Sequence, residues 1–228
     1  MFKTSHLTVL EIIVLIFIST LVCTGIIIAR IDISLFEEVY VAEDGFVENW
    51  TVLVMLVAAM YALYNYATLR KAKTFHFKLT MIMIALFSLF IAGEEISWGQ
   101  RIFGVESSEF FKANNGQGET NLHNLIVGGV KVNKIVFSQL LILVTSFYLI
   151  LLPILYEKNG KIREIVDRFG LPIARLYQVV GCLVLFASIL LIPSGKNAEI
   201  LEVGITTLFL LIFLFPKNKH VFLREDRY

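Results

Sequence analysis

Six stretches of this chain are apolar over the roughly 20 residues that a membrane crossing needs. They cover residues 7–29, 50–69, 77–97, 134–156, 173–193 and 198–216. Each is expected to be an α-helix, because a segment alone in lipid must satisfy its own backbone hydrogen bonds. The pattern therefore predicts an all-α, polytopic membrane protein with six transmembrane helices, folded as a single bundle domain over residues 1–228. The connection between helices three and four, residues 98–133, is long and rich in Gly and Asn.

The first stretch follows Lys3 as a signal peptide would, but stays apolar through Gly25–Ala29 and has no small-residue cleavage pattern. It reads as a retained anchor. Residues 31–43 alternate apolar and acidic groups, which predicts a short amphipathic piece along the interface. Asp44-Gly45 marks the start of helix two, Pro153 predicts a kink in helix four, and Pro172, Pro193 and Pro216 punctuate helix ends.

Charge gives the bundle two sides. Arg70, Lys71, Lys73, His76 and Lys78 lie between stretches two and three. Lys158, Lys161, Arg163 and Arg168 lie between four and five, and Lys217, Lys219, Arg224 and Arg227 follow six. With six crossings these regions share one side. By the positive-inside rule it is the cytoplasm, so both termini are cytoplasmic. Most acids, from Asp32 to Glu48 and on to Glu94, Glu95, Glu119, Glu199 and Glu202, then fall on the extracytoplasmic side. Glu11 is the one acid expected within a span away from that face.

Composition agrees. Hydrophobic residues make up 57% of the chain and charged residues 17%, against about a quarter charged in soluble domains. The location expected is the cytoplasmic membrane, with the bilayer as first partner. Basic residues occur only in short flanking clusters, so nucleic acid is excluded as a partner. Cys23 and Cys182 sit in apolar runs and read as small buried hydrophobes.

Candidate chemistry concentrates in Gly93–Asn124. On a continuous helix Glu94, Trp98 and Arg101 share a face, and adjacent Glu94 and Glu95 repel unless a cation or a proton is shared. One reading makes Glu94, Glu95, His123 and Arg101 catalytic, with Trp98, Gln100, Asn121 and Asn124 orienting a substrate. The plainer one is a Glu–Arg101 pair at a helix end, with Trp98 as an interfacial anchor. Further on, Glu119 and His123 lie one turn apart if that piece is helical, which suits a shared metal or an acid/base couple. The plainer reading there is a hydrogen-bonded loop. Glu48 and Glu202 extend the acidic set, although Asp44, Glu48 and Glu199 also suit the first turns of helices.

The histidines are His6, His76, His123 and His220, of which only His123 falls on the outer side. A metal held by Glu48, Glu95, Glu119, His123 and Glu202 would be one carboxylate-rich divalent cation: calcium, magnesium, manganese or zinc. CAAX-type membrane proteases place Arg four residues after a Glu-Glu pair, whereas Arg101 comes six after Glu95. Alkaline-ceramidase-like hydrolases need three histidines. The strings GEEISWGQR and QGETNLHN resemble a group of uncharacterised polytopic bacterial membrane proteins, over roughly Glu43 to Asn124. That resemblance implies a site in this stretch and leaves its chemistry open.

Three functions follow as expectations. The first is a metal-dependent hydrolase or transferase acting on a lipid or lipid-linked substrate. The second is a non-enzymatic scaffold that binds a membrane-protein partner, its polar cluster being structural. The third is an ion or solute transporter, for which the middle of the spans offers mostly Ser and Thr.

Overall fold

The computed structural model describes residues 7–122, 124–131 and 141–223. The helices, in order, are α1 (Val9–Ile31), α2 (Ile33–Leu35), α3 (Phe46–Leu69), α4 (Phe75–Glu95), α5 (Gln100–Phe103), α6 (Glu109–Asn114), α7 (Leu141–Ser146), α8 (Leu152–Lys158), α9 (Gly160–Phe169), α10 (Leu176–Ile189) and α11 (Asn197–Leu214). Four of these, α1, α3, α4 and α11, are long and apolar enough to cross a membrane. A shorter apolar helix, α10, has 14 residues. The all-α expectation needs one amendment: β1 (Ile126–Val127) and β2 (Val130–Lys131) form a small antiparallel hairpin.

Large apolar side chains stand exposed along these helices. Ile16 of α1, Met60 of α3 and Phe87 of α4 are each about 61–62% exposed. Such surfaces suit lipid and not water. Buried polar groups bond back to the preceding turn: Asn65 Nδ2 donates to the Tyr61 carbonyl at 2.9 Å, and Thr51 Oγ1 to the Val47 carbonyl at 3.4 Å.

The chain divides into two compact units, Met1–Thr51 with Leu176–Leu214, and Val52–Arg175 with Phe215–Tyr228, so the division falls within α3. In the first unit, α1 begins with a capping box. Thr8 Oγ1 accepts from the Glu11 amide, and Glu11 Oε2 accepts from the Thr8 amide at 2.8 Å. Tyr177 of α10 donates its hydroxyl to Glu11 Oε1. Glu11 is thus fully buried within a polar set and is not the isolated acid that the sequence suggested. Beside it, Gln178 Nε2 donates to the Leu211 carbonyl of α11 at 3.1 Å.

At the other end of this unit, the expected amphipathic piece is helical, α2 followed by a π-helical turn over Phe36–Tyr40, and it buries Phe36 and Val41. Arg30 Nε donates to the Leu191 carbonyl, and Ser194 Oγ to Glu37 Oε1. Trp50 Nε1 donates to Thr207 Oγ1 at 3.1 Å, and the Trp50 ring lies 4.3 Å from that of Phe17. Cys182 is buried, but Cys23 is exposed on α1, so only one of the two cysteines is a core residue; both are free thiols.

In the second unit, α7 runs through a π-helical turn, Phe147–Leu151, into α8. Pro153 follows that turn. Proline lacks the amide that would bond four residues back, so the wide turn absorbs the break foreseen there. Helix α9 starts on Asn159, whose Oδ1 accepts from the Lys161 and Ile162 amides, and stops at Gly170. Gly170 has φ +67°, and a Cβ there would collide with the Phe77 ring. Leu152, Tyr156, Val166 and Ile173 form the core beneath it.

The tail after α11 returns to this core. The Lys217 amide donates to the Ile173 carbonyl at 2.7 Å, and Asn218 Oδ1 accepts from the Ile173 amide at 3.0 Å. Asn218, 1% exposed, also donates to Asp167 Oδ1 and to the Leu171 carbonyl. The two Asp167 oxygens further accept from the Tyr156 hydroxyl, at 3.0 and 3.2 Å, and Oδ2 meets His220 Nε2 at 3.2 Å.

Candidate functional site

The stretch marked for chemistry begins where α4 stops. The helix expected through residue 97 ends at Glu95, and Ser97, Trp98 and Gly99 take positive φ of 46°, 55° and 75°. A left-handed run of this kind is costly for residues with a Cβ. It turns the chain so that Glu94, Trp98 and Arg101 no longer share a helical face. The indole instead folds back over Gly93, whose missing Cβ leaves the room for it. It meets the Phe90 ring edge-on at 5.8 Å.

Glu94 is 7% exposed and acts as a two-sided acceptor. Its Oε1 accepts from Trp98 Nε1 at 2.8 Å, and its Oε2 from the Leu122 amide at 2.6 Å. Glu119 is engaged from the loop side. Its Oε2 accepts from Ser97 Oγ at 2.5 Å and lies 3.4 Å from Asn121 Nδ2, while its Oε1 lies 3.4 Å from Arg101 Nε. Glu119 is therefore one ionic partner of Arg101 at this helix end.

Around these acids the loop closes on itself. Asn121 Nδ2 donates to Ser97 Oγ, and Asn121 Oδ1 accepts from the Asn124 amide and from Asn115 Nδ2. Asn115 Oδ1 accepts from the Gln117 and Glu119 amides. Gln100 Oε1 accepts from Ser107 Oγ and from the Thr120 amide. Asn124 Nδ2 donates to Gln117 Oε1. Asn115 and Leu125 form a β-bridge, so the described residues from 119 to 125 are a closed loop and not the helical turn assumed for Glu119. Nearby, the Lys112 ammonium 3.0 Å from Glu106 holds that carboxyl below its ordinary range.

Glu94, Trp98, Gln100, Arg101, Glu119, Asn121 and Asn124 are thus brought into one hydrogen-bonded region of the second unit. Glu95 is the last residue of α4, and His123 lies outside the described residues. Glu48 and Glu202 belong to the first unit. The Glu48 carboxylate accepts from the Asp44 amide at 2.8 Å, the bond expected at the start of α3. Among the described residues, no three of His, Cys, Asp and Glu gather in a group that could hold a metal ion. Sequence reasoning left Ser107, Asn115 and Thr120 out of the region. The signal available was their density in a short polar run between apolar stretches.

Chemically, the arrangement places two carboxylates against hydroxyl, amide, indole and guanidinium donors. Charge-assisted bonds of this type are stronger than neutral ones. They fasten the loop to the end of α4. Comparisons with protein-family models, with curated proteins and with solved structures found no match to this chain.

Proposed function

We propose that the protein is a non-enzymatic, multi-pass subunit of the cytoplasmic membrane whose folded loop, residues 97–125, is a rigid platform for a membrane-protein partner. One observation carries this reading: both oxygens of Glu94 and both of Glu119 face donors drawn from the loop and the helix end. A carboxylate used in this way is a fastener. Around the fastened loop, Ile102, Phe103, Val105 and Phe110 stay exposed, offering a partner apolar area on a backbone already ordered.

Six crossings, with cytoplasmic termini and the loop outside, are part of the proposal. Lys73, Arg168 and His220 line one cavity, which supports a common side for the start of α4, the end of α9 and the tail. If α4 crosses, a second crossing must return the chain before Arg168; the apolar 134–156 stretch, of which residues 134–140 lie outside the described residues, is the candidate. If α11 crosses, α10 with its flanks must cross as well. The basic character of the three regions then selects the cytoplasm.

The test is thermal unfolding of the purified protein in detergent, with elemental analysis. Glu94→Gln and Glu119→Gln are expected to lower the midpoint, and a chelator to leave it unmoved in wild type. A stoichiometric divalent ion whose removal lowers the midpoint overturns the reading in favour of the metal-dependent hydrolase or transferase. One observation favours that second reading: the positive φ of both Ser97 and Trp98. Strain of this kind clusters at functional sites, and Glu95 borders it.

A further inference from the structure

We propose that the cavity between the start of α4, the end of α9 and the tail binds a phosphate group, either as the headgroup of an anionic lipid or as a soluble phosphate. The cavity measures about 220 Å³ and is lined by Lys73, Thr74, Phe77, Asp167, Arg168 and His220, with Ala72 and Val221. That is about seven times the share of liquid volume of one water, enough for a phosphate and the first atoms of its ester.

Two fixed cations, Lys73 and Arg168, and the His220 imidazole converge on it from three separate regions. Against them stands one acid, Asp167, whose two oxygens already accept from Tyr156 and Asn218 and meet His220. Its oxygens are thus taken up by α8 and the tail. Arg168 is paired with Glu164 at 2.9 Å, but both side chains are more than half exposed, so water competes for that pair and an incoming anion can replace it. Lys73 adds a flexible ammonium. The wall itself is fixed: Thr74 Oγ1 donates to the Arg168 carbonyl at 2.8 Å and accepts from the Phe77 amide at 3.2 Å.

Thr74 is also the N-cap of α4, a helix of 21 residues. The positive end of its dipole therefore adds to the side-chain charge at the same place. Phe77 and Val221 give the cavity an apolar wall against which an ester's carbon atoms can rest. The proposal draws on this cavity alone and stands apart from the role given to the 97–125 loop.

The experiment uses full-length protein purified in a neutral detergent, with phosphatidylglycerol and inorganic phosphate as separate probes. Binding is read by native mass spectrometry and by the shift in unfolding midpoint. Lys73→Gln combined with Arg168→Gln is expected to weaken binding at least tenfold. Lys161→Gln combined with Lys158→Gln, which removes two charges that are not among the lining residues, is expected to leave it unchanged. Saturable binding of the lipid alone identifies a headgroup, and displacement of lipid by inorganic phosphate identifies the phosphate itself; either supports the site. Should the double variant fail to fold, Lys73→Gln alone is expected to weaken binding about threefold. No saturable binding of either probe, or equal binding by wild type and the folded cavity variant, overturns the proposal.

Discussion

The loop that follows α4 and the junction between α9 and the tail both hang on carboxylates, and they distribute the work differently. In the loop, Glu94 and Glu119 divide their donors between them, and Asn121, Asn115 and Gln100 add bonds that bypass both acids. In the junction, Asp167 alone collects Tyr156, Asn218 and His220. A shared network loses a fraction of its strength when one member is removed. A hub loses its ties to Tyr156, Asn218 and His220 at once, and keeps only the backbone-directed bonds that join Lys217 and Asn218 to Ile173 and Leu171. The two regions are therefore expected to differ in how sharply they respond to substitution.

The largest effect is expected at Gly170. Gly170→Ala must place a Cβ at φ +67° and against the Phe77 ring, so it should destabilise by about 3 kcal/mol. Chemical unfolding in detergent measures it, and a loss below about 1 kcal/mol would show that Phe77 yields easily. Next comes Asp167→Ala, expected to cost about 2 kcal/mol, because the Tyr156 hydroxyl loses its acceptor and the buried Asn218 amide one of its two. Glu94→Gln should cost about 1 kcal/mol, since the amide oxygen keeps one acceptor and the rest of the loop holds. A Glu94→Gln loss equal to that of Asp167→Ala would erase the contrast between shared and single-centred networks.

The smallest effect is a pH dependence at the edge of the junction. The Lys217 ammonium bonded to Glu157 holds that carboxyl below its ordinary range. A depressed carboxylate stabilises the fold above its unfolded value of 4.5 and loses that contribution as pH falls through the folded value. Between about pH 5 and pH 3 the stability gained from this pair should decline, by less than about 0.5 kcal/mol because water screens an exposed pair. Comparing wild type with Lys217→Gln across that range isolates it; equal slopes would remove the pair from the account.

The apolar runs made the long helices legible, because in lipid a long unbroken hydrophobic run has few other ways to satisfy its backbone. Asp44-Gly45 and Pro216 placed helix ends within a few residues, whereas the Thr8–Glu11 capping box of α1 was not read from the sequence. The loop could be located by its polar density, and most of its members could be named. Its shape could not. The left-handed run at Ser97 and Trp98 violates local preference and is held by contacts with residues more than twenty positions on. Nor was the junction foreseen. Asp167 and Asn218 are 51 positions apart and sit in basic surroundings where neither stands out. Long-range pairing of polar groups leaves no period in a sequence to read.

The clasp between Ile173 and the Lys217–Asn218 pair has a bearing on how such a chain could be rebuilt. Everything from Leu176 to Leu214 leaves the second unit and comes back to it at points joined by two backbone-directed hydrogen bonds. The two helices in between therefore form a cassette with its cut points already side by side. A short bridge from Ile173 to Asn218 would span the gap, and because that pair of helices bonds to Glu11 and Arg30 of α1, it would have to be exchanged together with α1.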